Sequence, residues 1–261
     1  MTLPRFANPA PKPQLTTRLP DWFEAIYDPD GVIARNVLRL DQLAAKRGIR
    51  FYPQNDFRVL KAIVEERRHL GTVLMPFVDH ICCTLNDDNA FWLLGIDGDG
   101  NVASTHTGRY FDFTGSSLAA EMASMRMFYD EPARFVTPEC FAHTPREATE
   151  VITGTAFHSG TMWVRPDMRG PDENGIVMSA VMGKLARLLG LAKWWPKHLF
   201  TFSSYVLYNH GVVTKFGYAH EAFPVTWHLH YGPAPDCGMF WMTREELLGW
   251  AADDFKQLAV A

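Results

Sequence analysis

The reading of the fold turns on Thr161-Met162-Trp163-Val164-Arg165-Pro166-Asp167-Met168-Arg169-Gly170-Pro171-Asp172-Glu173-Asn174-Gly175-Ile176. Upstream, residues 153–164 have the β-branched and aromatic texture of a strand. The polar loop that follows, 165–175, carries two prolines and two glycines. From Ile176 to Leu191, Val177, Val181, Leu185, Leu188 and Leu189 fall on one stripe, which predicts a helix. Lys184, Arg187 and Lys193 lie toward its later half, where cations suit the helix dipole. A strand running through such a loop into a helix leaves backbone N–H groups free at the helix start. These suit a phosphate or pyrophosphate, and Arg169 can add charge-assisted contacts.

Outward from this segment, the N-terminal side predicts a helix over 31–46, ended by Gly48, and a second from Asn55 or Asp56 through Arg68. Short apolar runs at 72–78 and 90–96, then a turn at Asp97-Gly98-Asp99-Gly100-Asn101 and the strand-like 102–113, predict an antiparallel hairpin. The turn is not a calcium loop: Val102 stands where a glycine is needed, and the closing glutamate is absent. A helix from Ser116 or Ser117 to Tyr129 follows, and 130–150 reads as connection. On the C-terminal side come a strand at 199–203, a short helix over 205–214, one or two strands over 218–231, and a final helix announced by the capping box Thr243-Arg244-Glu245-Glu246. The fold class is therefore α+β, with a mixed, mostly antiparallel central sheet flanked by helices. Residues 1–71 are expected to be a Pro-rich arm and helical extension packed on the main domain, which is 72–261.

The composition is that of a globular chain. Of 261 residues, 47% are hydrophobic and 21% charged, and the net charge is −4, so no whole-molecule positive field draws nucleic acid or anionic lipid. No stretch is apolar enough for a membrane span or a signal-peptide core, and the four cysteines form no CxxC pair, which points to a reducing cytoplasm. Neither a Gly-x-Ser-x-Gly elbow nor a Walker loop is present.

Met162-Trp163-Val164-Arg165-Pro166-Asp167-Met168-Arg169-Gly170, with Gly175-Ile176 and the helix behind it, resembles the acyl-CoA-binding segment of the GNAT acyltransferase superfamily: a hydrophobic strand, Val-x-Pro-x-x-Arg-Gly-x-Gly, then a helix. The element order over about 72–231 is similar too, and Phe216-Gly217-Tyr218 resembles that family's Gly-Phe/Tyr turn. The resemblance implies an N-acyltransferase using acetyl-CoA or a longer acyl-CoA, with no metal, on an amine of a small molecule or peptide. A homodimer is compatible with it; nucleic acid and membrane are not expected partners. It places the pantetheine arm on backbone groups of Met162 and Val164, and the pyrophosphate among Arg169, Gly170, Gly175 and Ile176. The catalytic expectations are His158 as base, six residues before Val164 where members often hold a glutamate, and Tyr208 or Tyr205 as acid. Two departures stand out. Pro171-Asp172-Glu173-Asn174 fills a place where the family has one residue, bringing carboxylates beside the pyrophosphate, and Val213 replaces the usual tyrosine.

Two other readings remain. His228 and His230 alternate on a strand, a spacing that metal sites use, with His106, His158 or His210 as a third ligand. A GNAT-like fold without CoA chemistry would instead act as a binding module, with Trp194-Trp195 as its exposed interface pair.

Overall fold

A computed structural model of the chain describes residues 12–13, 15–28, 31–67, 74–233 and 236–253. Its elements run α1 Leu19–Trp22, α2 Val32–Lys46, β1 Arg50–Gln54, α3 Phe57–Glu66, β2 Ala90–Ile96, β3 Val102–Phe113, α4 Leu118–Ala123, β4 Phe141–His143, α5 Arg146–Thr149, β5 Gly154–Val164, α6 Met178–Trp194, β6 His198–Ser204, α7 Tyr205–Asn209, β7 His220–Leu229, β8 Gly232–Pro233, β9 Cys237–Thr243 and α8 Arg244–Asp253. The strands form one sheet in the order β1-β2-β3-β5-β6-β9-β7-β4, with β8 beside β7. The β5–β6 pair is parallel and the others described are antiparallel, so α6 is the crossover that a parallel pair requires. This is the mixed, mostly antiparallel α+β sheet flanked by helices that the sequence predicts.

Both faces of the sheet are covered. Strand β2 is therefore apolar at every position, without the alternation of a one-sided strand. Trp92 and Leu94 join a core with Leu60, Phe77, Phe111, Phe128 and Phe200. On the opposite face Phe91 and Leu93 meet Val37, Leu40, Phe157, Leu185 and Leu188 beneath α2 and α6. Helix α6 comes so close to β5 that a Cβ at Gly190 would lie 2.5 Å from the Phe157 ring. Asp56 caps α3 by accepting from the Arg58 N–H, and Ser117 caps α4 from Ala120.

Several expectations are corrected. The apolar run predicted from Thr72 becomes, in its described part, a 3-10 turn at Pro76–Val78, because Pro76 removes a ladder donor. The helix from Ser117 stops at Ala123, and Met125 takes φ +62° so that Met127, Phe128 and Tyr129 turn into the core. Connection 130–150 contains β4 and α5, while β1 and β9 are strands the pattern did not announce. Trp194 and Trp195 are not an exposed pair. Trp194 stacks on Phe91 and Tyr110, and Trp195 on Tyr27. The predicted arm lies largely outside the described residues, as do Arg68 and Thr72. Within the extension before Thr72, β1 extends the common sheet and α2 packs on α6.

Candidate functional site

Strands β5 and β6 begin side by side and then part. Their pairing covers only Ala156 to His158 against His198 to Phe200, although β5 continues to Val164 and β6 to Ser204. Strand β3 holds the other edge of β5 as far as Val164, so from Ser159 onward the β6-facing edge of β5 lacks that strand partner. A bulge lies in this unpaired stretch. The β3 register shifts between Thr105 and Thr107, and Thr161 takes φ +47°, a costly conformation for a β-branched residue.

A polar chain crosses the parting point on the α6 face. His106 on β3 lies with Nε2 2.8 Å from Ser159 Oγ on β5. The Tyr218 phenol lies near Ser159 and near Thr201 on β6, where the two strands separate; Ser159 Oγ pairs with His106, and Thr201 Oγ1 donates to the Phe202 carbonyl. Burial pushes Tyr218 upward, while Arg187 and those two hydroxyls pull it down. Gly217 sets the approach of Tyr218. It holds φ +71°, and a Cβ there would sit 3.0 Å from Trp250 Nε1. His106 is pushed down to about 3, chiefly by burial and then by the Arg187 charge, so it is a neutral hydrogen-bonding ring.

The predicted catalytic residues sit elsewhere. His158 points to the face opposite α6, its ring 4.6 Å from Phe77 and 5.3 Å from Phe200. Burial takes it to about 3, and Nδ1 has no hydrogen-bond partner. An imidazolium there is strongly disfavoured, which argues against His158 as the base. Tyr205 stacks on Phe223, and Tyr208 donates to Glu221 at 3.0 Å, so both turn toward β7 and away from Ser159.

The loop after β5 is closed on itself. Asp172 Oδ1 accepts from the N–H groups of Ile176 at 2.7 Å and Asn174 at 2.9 Å. Arg47, from α2's C-cap, donates to the carbonyls of Gly170 and Ile176 and lies 3.9 Å from Asp172 Oδ2. Arg169 Nε donates back to the Val164 carbonyl. Helix α6 starts at Met178, two residues later than predicted. The amides expected to cradle a pyrophosphate are thus taken by Asp172, Ile176 by its carboxylate and Gly175 by its backbone carbonyl. The β6-facing edge of β5 stays open beyond His158, whereas the loop does not fit a pyrophosphate on those amides.

His230 is engaged by Tyr129, whose hydroxyl lies 3.0 Å from Nδ1, and His228 packs near Phe141. Among the described residues no group of three or more His, Cys, Asp or Glu side chains is placed to hold a metal ion. No described helix is long and apolar enough to cross a membrane. An open pocket of about 500 Å³ lies apart from the strand parting, lined by Lys12, Asn55, Asp56, Arg58 and His80 among others.

Sequence reasoning missed Ser159 and Thr201, met His106 only as a third metal ligand, Arg187 only as a helix-dipole cation and Asp172 only as a carboxylate beside the loop, and met Tyr218 only as part of a turn. The available signal was Arg187, which stands within the apolar stripe of α6 between Leu185 and Leu188.

No family model matches the chain, and no curated protein matches it in sequence. Solved structures similar to it include a CoA-dependent acyl-homoserine lactone synthase, BjaI, with SAM and isopentyl-CoA (14% identity, 86% of this chain and 83% of that one, TM-score 0.37). Also similar are aminoglycoside acetyltransferase AAC(6')-Ib with coenzyme A and kanamycin (11%, 81% and 91%, 0.35) and an agmatine N-acetyltransferase (13%, 84% and 97%, 0.37).

Proposed function

We propose that the chain is a GNAT-like acyltransferase that moves an acyl group from a pantetheine-type thioester, acyl-CoA in the first instance, to an amine of a small molecule or peptide. The supporting observation is the parting of β5 from β6 beyond His158 and Phe200, with the Tyr218 phenol at the apex. A bound thioester supplies an activated acyl carbon and a thiol leaving group. The backbone of Ser159 to Val164, including the predicted Met162 and Val164, orients the donor by strand-like hydrogen bonds. As the amine nitrogen bonds to the acyl carbon and the C–S bond breaks, Tyr218 Oη gives its proton to the departing sulfur and the phenolate recovers one from the acylated nitrogen, replacing Tyr205 and Tyr208 in that role. Ser159, held by His106, and Thr201 flank the phenol. Arg169 and Gly170 remain the candidates for the phosphate end, with Asp172 opposing them.

The test is turnover of acetyl-CoA and a medium-chain acyl-CoA against a panel of amines, for wild type and Tyr218→Phe. The proposal expects thiol release that falls about 100-fold in the variant. Equal rates in both would remove Tyr218 from the chemistry. The closed loop favours one second reading, a binding module of the same fold without CoA chemistry. Calorimetry on Asp172→Asn separates them: CoA affinity that rises when the carboxylate is removed supports the acyltransferase, and none in either protein supports the module.

A further inference from the structure

Arg187 is a cation sealed inside the protein. Its side chain is 0% exposed, and among the described residues no carboxylate neutralises it. Each guanidinium nitrogen is already committed: Nε donates to the Gly183 carbonyl, Nη2 to the Phe216 carbonyl, and Nη1 points at Met242 Sδ at 3.2 Å. A ligand anion has no path to this group. Burying a guanidinium without an acid is expensive, and an apolar side chain of similar volume would serve packing as well. What the charge does touch is aromatic. The guanidinium carbon lies 4.5 Å from the centroid of the Tyr218 ring and 5.4 Å from that of Trp250. It therefore grips the turn Phe216-Gly217-Tyr218 twice, by the carbonyl on one side and the ring face on the other.

We infer that Arg187 is a positioning residue for Tyr218: it fixes the phenol at the parting of β5 and β6 and strengthens it as a proton donor by placing a fixed positive charge over its ring. The inference rests on the proposed role of Tyr218, and it accounts for a buried charge that packing alone leaves unexplained. The groups facing the phenol from the surrounding elements are Ser159 on β5, Thr201 on β6 and, behind Ser159, neutral His106 on β3. Lys184, on α6 with Arg187, lies over Trp250 at 4.6 Å. Arg187 is the cation in contact with the Tyr218 ring, and a positive charge at this range stabilises the phenolate relative to the phenol.

The experiment follows ionisation of Tyr218 by NMR of ring-labelled tyrosine against pH, with the signal assigned by Tyr218→Phe. Arg187→Met is expected to raise the titration midpoint by about 1 to 2 pH units, and Arg187→Lys, which keeps the charge but loses the fork, to fall between it and wild type. An unchanged midpoint in folded Arg187→Met overturns the inference. Should Arg187→Met fail to fold, a wild-type-like midpoint in Arg187→Gln, which is neutral but still hydrogen-bonds, overturns it equally. Because the readout needs no turnover, it stays separate from the acyl-transfer reading, which fails on its own if Tyr218→Phe retains full activity.

Discussion

At the scale of single residues, two histidines show how burial decides chemistry. His106 and His158 are both held at about 3, against an ordinary value of 6.5, by desolvation first; Arg187 adds to it for His106, and His106 and then Arg109 for His158. The unfolded chain therefore binds protons that the native chain refuses. Stability fully present above about pH 6.5 is lost as the pH falls toward 3, by about 2 kcal/mol per histidine at pH 5. Urea unfolding between pH 7 and 5 should show this loss, and His158→Leu should reduce it by about half. A pH-independent stability over that range would contradict the burial of both rings. His158 also shows what a sequence withholds. Its place on the signature strand was legible, but the ring environment was set by Phe77 and Phe200, residues 81 positions before and 42 after it.

At the scale of elements, the strand, loop and helix centred on Val164 were readable because hydrophobic period, prolines and glycines agree there. Strand β1 was hidden because its Arg50-Phe51-Tyr52-Pro53-Gln54 is short and carries a proline, tolerated on the sheet edge it occupies. The cation pattern on α6 was misread. Lys184 and Arg187 were expected to serve the helix dipole, yet both are buried beneath Trp250 and the Tyr218 turn. The close approach of α6 to β5 gives a sharp expectation. Gly190→Ala drives a methyl into the Phe157 ring and should cost about 1–3 kcal/mol by chemical denaturation. No measurable loss would mean that helix and strand do not meet as described. In the loop, Asp172→Ala removes the acceptor of two amides, and hydrogen exchange at Asn174 and Ile176 should quicken at least several-fold while the core of α6 is unaffected.

At the scale of the whole molecule, the segment before Thr72 and the sheet behave as one structure. Residue α2's C-cap Arg47 binds the loop after β5, so the extension reaches the mouth of the candidate site. The Arg47 contact was not visible in sequence, because a contact 123 residues apart leaves no local pattern. The polar chain of His106, Ser159, Tyr218 and Thr201 was hidden for the same reason: its members come from β3, β5, the turn before β7, and β6. The central claim is that an acyl thioester lies along the open edge of β5 with its sulfur toward Tyr218. Its most direct test is amide and tyrosine-ring NMR during titration with acetyl-CoA, repeated with acetyl-pantetheine, which lacks the nucleotide. Shifts confined to Ser159 through Val164 and Tyr218 with both compounds are the result predicted, whereas shifts confined to the pocket beside Arg58 and His80, or none with either compound, would contradict it.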